Sequence, residues 1–257
     1  MASGEDRARD LATRSGDAPE QSSGASRRNL TYAMLDEVGR AIVTGAYDKK
    51  GFPTEAELAR RYDVSRSVTR EAVKMLTAKG LLTARPRKGT TVQPSTSWNL
   101  FDPDVLRWLL ERKFSLRLLR QFSDLRIAIE PAAAALAAAA RDPEGVAAIR
   151  AGFARMEAAE AGGDDPLEAD IAFHIAVLNA SANPFYMQFR DLVTTALRTS
   201  IRFTNRFQGR TASLPAHAAV LEAIESGDSA SARGAMAAII EDVMVLIADA
   251  EQARDGA

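Results

Sequence analysis

The chain has 257 residues, 46% hydrophobic and 26% charged, enough for one large or two ordinary globular domains with buried cores, which excludes disorder throughout. With no cysteine and only two histidines it can build no disulfide, thiolate zinc site or iron–sulfur cluster, and no catalysis resting on several imidazoles. The net charge of −1 hides an asymmetry: Lys and Arg balance Asp and Glu at five each over residues 1–29, exceed them 12 to 7 over 30–94 and trail them 16 to 22 over 95–257, so only the middle segment suits a polyanionic partner.

Residues 1–29 are rich in Ser, Gly, Asp and Arg without aliphatic periodicity and are expected to form a disordered tail. They lack the apolar middle of a signal peptide, and no apolar run elsewhere approaches the ~20 residues that span a bilayer, so the chain is expected in the cytoplasm, without a membrane partner. From residue 31, Met34, Val38, Ala41 and Ile42 mark one helical face that ends at Gly45. Thr54 and Glu57 form a capping box for a short helix running to about Tyr62, and Asp63-Val64 makes a tight turn. Ser65 caps a third helix, with Val68, Ala72, Met75 and Leu76 inward and Arg66, Ser67, Thr69, Arg70 and Lys74 on the other face. Gly80 stops it. Two short strands, Leu81–Ala84 and Thr90–Gln93, then flank the basic turn Arg85-Pro86-Arg87-Lys88-Gly89.

A linker over 95–101 leads to a segment, 102–254, that reads as helix throughout. Asp102-Pro103, Asp142-Pro143, Asp165-Pro166 and Asn183-Pro184 each place a side-chain acceptor at N-cap and a proline at N1. Ser115, Asp228 and Leu214-Pro215 mark further starts, about seven helices in all. Pro131 falls inside a long pattern from Ser115 to Ala140 and is expected to kink that helix without ending it. The fold class is therefore mainly α: a winged helix-turn-helix over 30–94 and an all-α bundle over 102–254.

In a winged helix-turn-helix the last helix enters the major groove. Ser65 offers a phosphate its hydroxyl and the positive end of a helix dipole. Arg66 and Arg70, one turn apart, can reach guanine edges with their forked guanidinium groups, while Thr69 and Lys74 suit phosphates. In the wing, Arg85, Arg87 and Lys88 supply positive charge and Gly89 lets the backbone approach closely. FPTEAELARRYDVSRSVTREAVKMLTAKGLLTARPRKGTTV resembles the N-terminal domain of GntR-type bacterial transcription regulators. That resemblance implies operator contacts by Ser65, Arg66, Arg70 and Gly89. Ala56 stands where members such as FadR carry an arginine, so one family contact is missing.

Asp170 and His174 lie four apart on the helix opening at Asp165, on one face beside Phe173. That spacing serves either a chelated divalent cation or a plain hydrogen-bonded pair. With His217, near the start of a later helix, the oxygen and imidazole donors would suit zinc first, or nickel or manganese, and leave positions open for water or an acid. Arg126, four residues before Glu130, makes an intrahelical ion pair by spacing alone.

ADIAFHIAVLNASANPFY, SDLRIAIEPAAAALAAAA and LPAHAAVLEAIESGDSASARGAM resemble the FCD effector domain of the FadR subfamily, and the two resemblances together cover nearly all of 31–250. By that likeness Asp170, His174 and His217 are metal ligands, the family's fourth ligand position falls near Ile239, which has no donor atom, and Arg126 clamps an effector carboxylate. WNLFDPDVLRWLLE, with Trp98 and Trp108, is similar to repressors of sugar-acid catabolism, the galactonate-responsive kind in particular, which implies an aldonate effector. Both tryptophans are expected to pack the linker onto the bundle.

The expected protein is thus not an enzyme but a homodimeric regulator, a repressor on an inverted-repeat DNA operator, released by a small carboxylate effector such as a sugar acid. Another hydroxy acid or an acyl-CoA is the alternative ligand, although a lipid pocket has no use for a metal triad. A metal-dependent hydrolase on Asp170, His174 and His217 lacks a nearby general base and leaves the wing unexplained.

Overall fold

The computed structural model describes residues 20–48, 51–85, 89–112, 115–207 and 213–255. Its first helix, α1 (Glu20–Val43), takes in the last ten residues of the expected tail, and residues 1–19 lie outside the described residues. The stretch 20–29 has no apolar periodicity to reveal it; it continues a helix whose later turns are anchored by buried Met34, Leu35, Val38 and Ile42, and adding turns to an existing helix is easy. Next come α2 (Glu55–Arg61) and α3 (Arg66–Ala78). The capping box at α2 forms in full: the Thr54 N–H donates to Glu57 Oε2 at 2.8 Å, and the Glu57 N–H to Thr54 Oγ1 at 3.3 Å. Asp63 makes the turn between them with φ 49°, and Gly80, with φ 76°, follows α3.

Strands β1 (Leu82–Arg85) and β2 (Gly89–Val92) pair antiparallel, Leu82 opposite Val92 and Arg85 opposite Gly89. The hairpin therefore lies one residue closer to its turn than expected. Leu81 and Gln93 still meet, since the Gln93 N–H donates to the Leu81 carbonyl at 2.9 Å.

After a 3-10 turn at Ser95–Ser97 the described chain is helical: α4 (Pro103–Leu109), α5 (Leu116–Ala140), α6 (Pro143–Glu160), α7 (Pro166–Ala180), α8 (Pro184–Met187), α9 (Arg190–Phe207), α10 (Leu214–Ser226) and α11 (Ser229–Asp255). All four Asp-Pro and Asn-Pro starts hold, each cap side chain accepting a backbone N–H of the first turn. α5 runs through Pro131. The eighth helix arises because Asn183-Pro184 opens only a single turn. At its end the Gln188 and Phe189 N–H groups reach back three residues instead of four, and α9 starts afresh.

Two cores result. One is built from α5, α6, α7, α9, α10 and α11 and includes Phe173, Val177, Val220 and Met236. The other joins α1, α2, α3 and β1 to Val105, Leu106, Trp108 and Leu109 of α4, and continues into Phe122 of α5 and Leu192 and Ala196 of α9. The tryptophans lie in or against this shared core, and their contacts reach the winged domain as well as the bundle. Trp108 is fully buried against α1, where its Nε1–H donates to Asp36 Oδ1 at 2.8 Å, and the Trp98 Nε1–H donates to the Gln93 carbonyl at 3.0 Å. Gly39 is required at this crossing, because a Cβ there would stand 2.2 Å from Trp108 Cη2. The segment expected to be a linker is tied down as well: the Asn99 N–H donates to the Lys79 carbonyl at 2.9 Å, and Lys79 Nζ bonds Asp102 and Asp104, each at 2.8 Å. No described helix is long and apolar enough to cross a membrane.

Candidate functional site

At the N-terminus of α3, Ser65 Oγ accepts the Val68 N–H at 3.3 Å and lies 2.9 Å from Ser67 Oγ. Both serines, Arg66, Arg70 and Lys74 are exposed, so the first turn presents two hydroxyls and a guanidinium around the positive end of the helix. Ser67 is an addition to the sequence-based set; its signal was its place two residues after the cap. Arg70 lies 3.7 Å from Glu55 and Lys74 3.7 Å from Glu71, loose exposed pairs that hold neither side chain tightly. Thr69 corrects the expectation. It is fully buried, and its hydroxyl donates to the Ser65 carbonyl at 3.2 Å, so it packs α3 inward and no longer counts as a phosphate contact. Arg85 is exposed at the end of β1, opposite Gly89; Arg87 and Lys88 lie outside the described residues.

The second site lies inside the bundle, where α5 contributes Arg126 and Glu130, α7 Asp170 and His174, and α10 His217; all five are buried. The Asp165-Pro166 cap starts α7 and thereby sets which residues face inward. α6 holds α7 close through Gly152, where a Cβ would fall 2.9 Å from Phe173 Cα. The Phe173 ring packs edge-on to both imidazoles, with centroids 5.9 Å from His174 and 5.0 Å from His217.

His217 Nδ1 lies 2.8 Å from the Ser213 carbonyl and His174 Nδ1 2.5 Å from Glu130 Oε2. Both partners only accept, so each Nδ1 carries a proton; a neutral ring then leaves Nε2 as a lone pair, and a charged ring turns a second N–H from Nε2 toward Asp170. Those two nitrogens lie close to Asp170 Oδ1: His217 Nε2 is 3.1 Å and His174 Nε2 3.7 Å from it, and the two nitrogens are 3.4 Å apart. The point equidistant from the three atoms in their plane lies about 2 Å from each, the length of a zinc–imidazole bond. Asp170, His174 and His217 are a group of described side chains whose donor atoms have the spacing that could hold a metal ion. Ile239 packs, partly buried, against the same core, and brings no fourth donor.

Around these atoms the charges are ordered. Arg126 grips Glu130 in bidentate fashion, Nε to Oε1 at 2.5 Å and Nη2 to Oε2 at 3.3 Å. Burial alone would raise the Glu130 carboxyl, but Arg126 and His174 outweigh it and bring it down to about 2. Burial likewise opposes ionisation of Asp170, and His217, His174 and Arg126 together hold it below the usual carboxylate value. Arg126 is thus the ion pair its spacing indicated, with its Nη1 edge outside that pair. Glu130 is the residue that sequence reasoning took only as a salt-bridge partner; its contact with α7 depends on how two helices meet.

A basic winged domain joined to a helical bundle with a buried polar centre is the architecture of a DNA-binding regulator. Residues 35–92 match the family described as bacterial regulatory proteins, gntR family, and residues 121–242 match the FCD domain. Over 219 residues the chain is 33% identical to the uncharacterized HTH-type transcriptional regulator YieP of Escherichia coli (strain K12), a match covering 84% of this chain and 94% of that one. It is 32% identical over 217 residues to the galactonate operon transcriptional repressor of the same organism, covering 82% and 94%. A solved structure of Lar, which controls expression of the Listeria monocytogenes agr system, superposes with a TM-score of 0.50 at 17% identity, over 86% of this chain and 97% of that one, a likeness of fold alone. The chain belongs to the GntR family of transcription regulators, in the branch that carries an FCD domain.

Proposed function

We propose that this regulator is a homodimeric repressor that binds an inverted-repeat operator through Ser65, Arg66, Arg70, Lys74, Arg85, Lys88 and Gly89, and is released by a small hydroxy carboxylate, a sugar acid such as an aldonate. The observation that carries the effector reading is the buried convergence of Asp170, His174 and His217 beside Arg126. These three would hold a divalent cation, zinc first among candidates, which when bound supplies a buried positive charge able to accept carboxylate and hydroxyl oxygens. Arg126 keeps guanidinium N–H groups beyond those given to Glu130 and can direct them at the effector carboxylate. The galactonate operon repressor among the relatives supports a sugar acid over other acids. Release requires that the acid bind the DNA-free arrangement more tightly than the DNA-bound one.

Thermal shift against aldonates, aldarates, small hydroxy acids and acyl-CoAs, each with zinc or with chelator, tests the proposal. A ligand at 100 times its Kd adds roughly 2.7 kcal/mol. The expected result is stabilisation by a sugar acid that disappears with chelator, the same acid freeing the protein from operator DNA. Stabilisation by acyl-CoA alone, or by no acid, overturns the effector assignment and leaves the DNA-binding half standing.

A further inference from the structure

The centre has an outer layer that its three converging donors do not explain. Glu130 reaches across from α5 to α7, and its carboxylate is divided: Oε1 receives Arg126 Nε, while Oε2 receives Arg126 Nη2 and the His174 Nδ1–H. Among the described residues no other group bonds His174 Nδ1. A free imidazole can carry its proton on either nitrogen, and with the proton on Nε2 His174 would turn an N–H, not a lone pair, toward the point it shares with Asp170 and His217. We infer that Glu130 is a positioning residue that selects the Nδ1–H form of His174 and fixes its ring, thereby setting the cation affinity of the centre, and that Arg126 acts on the centre by holding Glu130 in place. The inference rests on the proposed cation site, with a part that is readable without any cation. Carboxylates that back a metal-bound histidine in this way typically govern affinity by 10- to 100-fold.

The test uses the full chain, and its two histidines give two imidazole signals to assign. In chelated wild-type protein, nitrogen-15 NMR is expected to show His174 protonated at Nδ1, with that proton far downfield as in a charge-assisted hydrogen bond; in Glu130→Gln it moves upfield while the His217 Nδ1–H stays. Titration with cobalt(II), followed by its absorption spectrum, is expected to give 10- to 100-fold weaker binding for Glu130→Gln. Because Glu130→Gln leaves the Arg126 charge buried without its partner, the double variant Arg126→Met/Glu130→Gln, which removes both charges at similar volume, is measured alongside it and is expected to lose affinity to the same extent. A purely structural pair would lower the melting temperature of the chelated protein and leave cobalt affinity unchanged, which overturns the inference. Wild-type protein that binds no cobalt, zinc or nickel overturns the cation reading; the His174 Nδ1 signal then decides the orientation half, and its absence in wild type overturns that too.

Discussion

Arg66 and Arg70 stand on the open face of α3 with no tight partner, and their guanidinium groups are free to exchange solvent for base edges. Arg66→Ala and Arg70→Ala are therefore expected to weaken binding to an operator recovered by in vitro selection by about 1–3 kcal/mol, roughly 5- to 150-fold, while melting temperature stays put. Equal affinity of both variants in fluorescence anisotropy would remove α3 from the recognition role. Periodicity made these exposed arginines legible, but it misplaced Thr69 by one position on the wheel. Thr69 borders the inward stripe next to Val68 and Val73, and a residue at such an edge turns in or out according to what packs beside it. The i,i+4 rule likewise brought Asp170 and His174 together, and Arg126 with Glu130. It could not place Glu130 against His174, since 44 residues of chain separate them and only the packing of α5 on α7 brings them to 2.5 Å.

Among the helices, the crossing of α1 and α4 depends most on a single atom's space. Gly39→Ala would gain about 1 kcal/mol of helix propensity in α1, but its methyl group would overlap the fully buried Trp108 ring, which the Asp36 hydrogen bond keeps from stepping aside. Overpacking of this kind typically costs about 1–3 kcal/mol, so the variant is expected to lose up to about 2 kcal/mol net and melt up to roughly 8 °C lower. A rise in melting temperature would mean that α4 can shift away from α1 at little cost. Helix starts were legible because their signals are local: an Asp or Asn before a proline caps a helix whatever surrounds it. The break between α8 and α9 and the partner of α4 carry no local signal, and both are decided by packing.

Across the whole molecule, the same junction couples the winged domain to the effector bundle. Asp36 of α1 receives Trp108 Nε1, Arg107 and Arg40, and Asp104 receives Lys79 and Arg107. Burial would raise both carboxyls, yet these hydrogen bonds and positive charges hold them below their ordinary 3.8. A carboxyl held lower in the folded chain than in the unfolded one stabilises the fold in full above about pH 3.8 and loses that contribution as the pH falls through its folded value. The stability gap between wild type and Asp36→Asn, taken from urea unfolding, is therefore expected to stay constant above pH 5 and to narrow below about 3.8. A gap independent of pH would mean that Asp36 acts only as a neutral acceptor for Trp108. Because the second core runs from α1 through α4 into Phe122, Leu192 and Ala196, the winged domain does not hang on a loose tether but shares a core with α5 and α9.

By itself, the order of residues determined the two-part architecture, the winged reading head, nearly every helix start, and two pairs of side chains on shared helical faces. Each of these follows from interactions within a few residues: caps, turns, alternation, and the 3.6-residue period. Only the tertiary structure decided that Asp170 and His174 of α7 meet His217 of α10 at one buried point, that Glu130 backs His174, and that Trp108 of α4 packs on α1. The physical reason is the same in each case. These contacts join residues far apart in the chain, and which of them meet is set by how closely whole helices pack, as the small residues Gly39 and Gly152 allow.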